Sequence, residues 1–170
     1  CMFIGEAPGR NEDIEGRPFV GAAGDILNSV LASARIAREN VYITSILKYR
    51  PPDNRDPRAK EIISHTPFLI EQIQIIEPLL LIPLGNFAAR YLLGEFGARQ
   101  KKKDCRISVC HGELFTIHIA GLQYSVIPAY HPAAVLYNRK LLHVIKRDIH
   151  RVKWFAETNS AYRKSQQESP

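Results

Sequence analysis

The chain has 170 residues, 45% hydrophobic and 24% charged, and its 23 lysines and arginines against 17 aspartates and glutamates leave a formal net charge of +6. That much apolar surface excludes a largely disordered chain, and the length fits one domain with its own core. The longest nearly uncharged apolar run, residues 78–89, is too short for a membrane helix, and three cysteines (Cys1, Cys105, Cys110) without a CxxC argue against a disulfide scaffold or a closed zinc site.

Taken in chain order, residues 2–4 form an apolar run that stops at Gly5 and opens into a loop, 6–21, rich in Gly, Pro and charge. Ile26, Leu27, Val30, Leu31 and Ala34 recur at helical spacing and predict a helix over 22–36. Residues 41–47 read as a second strand. Residues 48–58 form a polar loop broken by Pro51, Pro52 and Pro57. A helix is predicted over 59–76, with Pro67 expected to kink or split it. Residues 79–84 are continuously apolar, as in a strand buried on both faces.

A short helix over 85–93 and a charged loop over 94–104 follow, with Lys101, Lys102 and Lys103 read as solvated. Residues 106–119 and 123–127 alternate like strands around a turn. Then come a loop over 128–138, a helix over 140–157 and a polar, frayed tail over 158–170. One domain over 1–157 is therefore expected, with the tail outside it. Strands separated by helices imply a parallel α/β sheet covered on both faces. Ligands of such sheets bind beyond the carboxyl ends of the strands, which singles out the loops 6–21, 48–58 and 128–138.

The first loop reads Gly5-Glu6-Ala7-Pro8-Gly9 and, further on, Gly16-Arg17-Pro18-Phe19-Val20-Gly21. It is neither a GxGxxG motif nor a P-loop. It offers a carboxylate at a strand tip, glycines for close approach and an aromatic between glycines. The helix start after Gly21 would favour an anionic ligand. Alternatively, Glu6 is a solvated turn residue and Phe19 packs in the core. The third loop contains Tyr130-His131-Pro132-Ala133. His131 is either a donor to a ligand or the cap of a turn. Together these groups could stack a flat ring and stabilise charge at both ends of a breaking bond.

Those segments, with Val41-Tyr42-Ile43-Thr44 and Arg50-Pro51-Pro52, resemble the uracil-DNA glycosylase superfamily, most nearly its family 4, whose members usually carry an iron–sulfur cluster. The resemblance covers residues 2 to about 153. It implies a three-layer α/β/α sandwich with a central, mainly parallel four-stranded sheet. It also implies hydrolysis of the bond between uracil and deoxyribose after the nucleotide is flipped from the duplex. On that resemblance Glu6 positions water and steadies positive charge on the sugar, and His131 hydrogen-bonds the base O2. Phe19 stacks on the base, Ala7 contributes a backbone N–H, and Pro8 and Gly9 approach a phosphate. Pro132, Ala133 and the residues up to 138 match a loop pushed into the duplex. Basic residues around the second loop (Lys48, Arg50, Arg55, Arg58) and after the third (Arg139, Lys140) are expected to contact DNA phosphates.

Two positions depart from the family pattern. Ser45 stands where an Asn is usual, which points to weaker or broader base selection. Tyr49 and His65 stand at two cluster-ligand positions, and Cys1 already lies in the first strand, so no cluster or other cofactor is expected. His65 is read as a packed or capped histidine, and Cys105 and Cys110 as small apolar residues.

The expected function is thus base-excision repair by a monofunctional uracil-DNA glycosylase. The alternatives are a glycosylase for hypoxanthine or xanthine, or a catalytically weak DNA-binding homologue. The partner is DNA containing uracil or another deaminated base, with no membrane association and a monomeric state. With residues 1–5 running straight into the first loop, no secretory signal is expected and the location is intracellular, cytoplasmic or nucleoid. A start inside the first strand fits a chain truncated at its N-terminus.

Overall fold

A computed structural model of the chain describes residues 1–97 and 106–167. Lys101, Lys102, Lys103 and Cys105 lie outside the described residues. The five strands are β1 (Met2–Gly5), β2 (Tyr42–Ser45), β3 (Leu80–Pro83), β4 (Phe115–Ile119) and β5 (Leu122–Val126), in the spatial order β2-β1-β3-β5-β4. All pairs are parallel except β4 with β5. Five strands exceed the four that the resemblance implies but agree with the five strand-like runs read along the chain, the hairpin β4–β5 forming an antiparallel edge. Ala120 and Gly121, both at positive φ, turn that hairpin, and its strands are only half buried, as an edge allows.

Seven helices are described: α1 (Arg10–Glu15), α2 (Ala22–Ser33), α3 (Ala59–Ile76), α4 (Gly85–Glu95), α5 (Ile107–Cys110), α6 (Ala134–Tyr137) and α7 (Leu141–Gln167). Alternation along β1 and β3 sends side chains to two cores. Met2, Ile4 and Leu81 pack with Leu69 and Ile73 of α3 and with Ala88, Ala89, Leu92 and Leu93 of α4. Phe3, Leu80 and Ile82 pack with Leu27, Val30 and Leu31 of α2 and with Ile145, Ile149 and Val152 of α7. This is the three-layer sandwich.

Several local expectations change. Pro67 does not split α3, which is continuous. Pro67 and Ile63, the residue whose carbonyl loses its helical N–H donor, both lie on the exposed face of the helix. Short helices interrupt the loops 6–21 and 128–138, and the start of the segment 106–119 is the helical turn α5 rather than strand. The final helix continues past residue 157 to Gln167, where a frayed tail was expected. Among the described residues, no helix is long and apolar enough to cross a membrane. Cys110 is buried in the first core.

Candidate active site

Parallel pairing puts the carboxyl ends of β1, β2, β3 and β5 on one side of the sheet. The connections from β1 and β3 leave in opposite directions there, which opens a crevice. A cleft of about 310 Å³ occupies it. Its walls include Glu6, Ala7, Pro8 and Gly9 beyond β1, Ser45 at the end of β2, Phe19 and Ala23, and His131 and Ala133 beyond β5. The structure therefore brings together eight of the expected site residues from four separate segments.

Phe19 is held in place by backbone geometry. It sits at φ +52, and Gly24, on the first turns of α2, lies beneath its carbonyl. A Cβ at Gly24 would fall 2.0 Å from Phe19 O, and one at Gly5 would fall 2.8 Å from the Phe19 ring. Arg38 adds a tie by donating to Pro18 O at 2.7 Å and Asn28 Oδ1 at 2.7 Å. The ring is 7% exposed. The core-packing and site alternatives are therefore not exclusive: the ring packs in the second core and still forms a wall of the cleft. Gly24→Ala is expected to destabilise the protein by about 1–3 kcal/mol through overpacking. It should show as a lower denaturant midpoint at unchanged slope.

His131 lies 5.5 Å from Phe19 between ring centroids, at an interplanar angle of 32°. Its Nδ1 accepts the Ala133 N–H at 3.2 Å, which leaves Nε2 as the protonated nitrogen of the neutral ring. Burial depresses its pKa to about 4, against an opposing pull from Glu12. Gly85, at φ +86, lets this segment approach β3: a Cβ there would come 3.0 Å from His131 Cβ. Glu6 is half-buried. Burial, and then the charge of Asp56, raise its carboxyl pKa to about 7. The cleft thus pairs a neutral imidazole with a carboxyl group poised near neutrality.

Next to the start of α2 the chain places an acidic group of its own: Glu12 Oε1 accepts the N–H groups of Val20 and Gly21, the two residues before the helix, each at 2.8 Å. Burial alone would raise the Glu12 pKa, but the backbone N–H donors outweigh it and hold it low. Lys48 is also turned away from the role expected of it. Its Nζ donates inward to Thr44 Oγ1 (2.8 Å), Ser45 O (2.6 Å) and Gln72 Oε1 (2.7 Å), and burial lowers its pKa to about 8. Arg50 donates to Asn54 Oδ1 at 2.8 Å. Pro132 is buried, and Arg139 is exposed beyond the loop. None of these last four lines the cleft.

Glu12, Ala23, Pro51 and Asn54 line it without having been singled out as site residues, and Arg55, one of the basic residues expected near its mouth, lines it as well. Arg55 is locked by two hydrogen bonds to Glu61, at 2.6 and 2.9 Å, which also accepts from the Tyr49 hydroxyl and the Arg58 N–H. The only sequence sign of this was the density of arginines in the 48–58 loop. Ser45 is 7% exposed, at the carboxyl end of β2. On the third loop Leu136 is 56% and Tyr137 91% exposed, two large apolar side chains standing clear of the surface.

A family model described as the uracil DNA glycosylase superfamily matches residues 1–161, and the chain belongs to that superfamily. The chain is 43% identical over 153 residues to a type-4 uracil-DNA glycosylase of Saccharolobus solfataricus, an overlap of 89% of this chain and 69% of that protein. It is 42% identical over 151 residues to the type-4 uracil-DNA glycosylase of Archaeoglobus fulgidus, covering 89% and 74%. A type-4 uracil-DNA glycosylase of Sulfurisphaera tokodaii is 39% identical over 162 residues, covering 95% and 72%.

These relatives overturn the expectation that the chain lacks the cofactor. They carry the name of the branch with which the sequence comparison associates an iron–sulfur cluster, so the expected absence is withdrawn. The two positions expected to replace cysteine ligands do not themselves fit such a group. The Tyr49 hydroxyl donates to Glu61, His65 Nδ1 accepts the Lys48 N–H at 3.1 Å, and the two rings pack at 5.3 Å. Among the described residues, no cluster of three His, Cys, Asp or Glu side chains is able to hold a metal ion. The chemistry below uses only this chain's own side chains.

Proposed function

We propose that the chain hydrolyses the N-glycosidic bond of uracil in DNA, leaving an abasic site, as a monofunctional glycosylase of base-excision repair. The observation that carries this reading is that Glu6 and His131, distant in sequence, line one cleft together with Phe19, whose ring lies 5.5 Å from that of His131. A flipped base stacks on Phe19. His131 Nε2–H donates to the base oxygen on which negative charge gathers as the bond breaks. Glu6, as a carboxylate, orients the attacking water and faces the positive charge that develops on the sugar. Ala7 supplies a backbone donor, and Pro8 and Gly9 approach the flanking phosphate. Among the described residues no lysine lines the cleft, which supports a reaction that stops at the abasic site.

Arg50 and Arg139 contribute phosphate contacts at the rim, and Tyr137 and Leu136 act as the apolar wedge that keeps the duplex open. The test is release of uracil from single- and double-stranded oligonucleotides, read as abasic sites. Tyr137→Ala should lower release from duplex several-fold while leaving the single-strand rate nearly unchanged. Equal losses on both substrates would remove the wedge from the account. A second reading rests on Ser45: its hydroxyl makes one directed bond at a time, where an amide makes two. Release of hypoxanthine or xanthine at a rate comparable to uracil would favour that broader range.

A further inference from the structure

We propose that His111 and Asp148 form a positioning pair for His131 and act on it through Tyr130; this rests on the reading of His131 given above. Asp148, on α7, is 1% exposed. Its Oδ2 accepts a 2.8 Å hydrogen bond from His111 Nδ1–H, the direction a carboxylate requires. The His111 ring in turn packs against Tyr130, with centroids 4.9 Å apart and planes at 48°. Tyr130 is bonded directly to His131. The neighbouring Gly112 N–H donates to Pro128 O at 2.8 Å. The 128–131 segment is therefore gripped from two sides. His111 and Gly112 hold one side. On the other, Ala129 N–H donates to Pro83 O (3.0 Å) and Gly85 N–H donates to Ala129 O (2.8 Å).

The arrangement is costly for the fold. Asp148 Oδ1 is buried without a hydrogen-bond partner, and the nearest cation, Arg147 Nε, is 4.0 Å away. Gly112 sits at φ +71, and a Cβ there would come 2.7 Å from that same oxygen. A well-packed apolar residue would serve stability at least as well as a buried carboxylate with one free oxygen. What the carboxylate supplies instead is direction: it fixes the plane of His111, which sets Tyr130 and the step to His131. Neither His111, Asp148 nor Tyr130 lines the cleft, so none is a catalytic residue.

The experiment is a set of double-mutant cycles read in single-turnover uracil release and in binding of uracil-containing DNA. His111→Ala and Asp148→Ala should each slow release about tenfold with binding unchanged, as expected when a reacting group is slightly misplaced. Asp148→Asn, which keeps an acceptor for His111, should recover most of the rate. In a His131→Ala background the same substitutions should add no further loss, because the residue they act through is gone. Tyr130→Leu leaves the buried pair intact and should show the same release defect, which keeps the test open if a core variant does not fold. Full activity in His111→Ala, or losses that add fully to that of His131→Ala, would overturn the proposal. If His131→Ala itself left release untouched, the reading of His131 would fail instead.

Discussion

Replacing His131 with alanine is expected to slow uracil release by a hundredfold or more. One preorganised donor aimed at developing negative charge is typically worth about 3–4 kcal/mol in rate. The ring suits that task because it is neutral: burial has moved its pKa down to about 4, so it donates from Nε2 without first losing a charge. Activity should therefore be insensitive to the protonation of His131 across neutral pH. The same shift carries a stability effect of defined sign. The unfolded chain takes up the proton near pH 6.5 and the folded chain only near 4. This contribution is present above 6.5 and is lost as pH falls through that window. His131→Phe should therefore be less acid-sensitive than the parent protein between pH 6.5 and 4, measured by thermal melting. A His131→Ala variant with parental single-turnover rates would sink the assignment.

Glu6→Gln is the second large effect, with a loss of roughly 10²–10⁴-fold, the range for a positioned acid–base group. Because burial and then Asp56 raise the Glu6 pKa to about 7, release should climb with pH through neutrality and level off above it. Asp56→Asn removes the like charge and should move that rise toward lower pH while leaving the plateau in place. A rise that stayed put would show that another group controls it. The stability sign is opposite to the usual surface carboxylate. The folded state holds the proton up to about pH 7, against 4.5 for an unperturbed glutamate, so this contribution is lost as pH rises from 4.5 through 7. Glu6→Gln should thus stabilise the protein more at pH 8 than at pH 5.

The parts of the site legible in the sequence were those written locally. Glu6 follows β1 directly and Tyr130-His131 lie a few residues beyond β5, so a parallel sheet delivers both to one edge. Phe19 between glycines was visible as an aromatic in a tight loop, although its positive φ and the role of Gly24 beneath it were not. Lys48 misled because charge predicts solvent exposure, whereas Thr44, Ser45 and Gln72 offer three acceptors that turn it inward. The contact of Glu12 with the N–H groups of Val20 and Gly21 was equally invisible, since it joins residues eight and nine positions apart through a loop.

By itself the amino-acid order determined the succession of strands and helices, the two-sided burial of β1 and β3, and the placement of carboxylate, aromatic and imidazole at strand tips. Period-two and helical spacing of apolar residues specify which faces are covered, and that is a local property. Only the tertiary structure decided the inward lysine, the contact of Glu12 with the segment before α2 and the buried His111–Asp148 pair behind His131. Each of those depends on groups far apart in sequence, whose protonation, orientation and cost are set by the burial they share once the chain has folded.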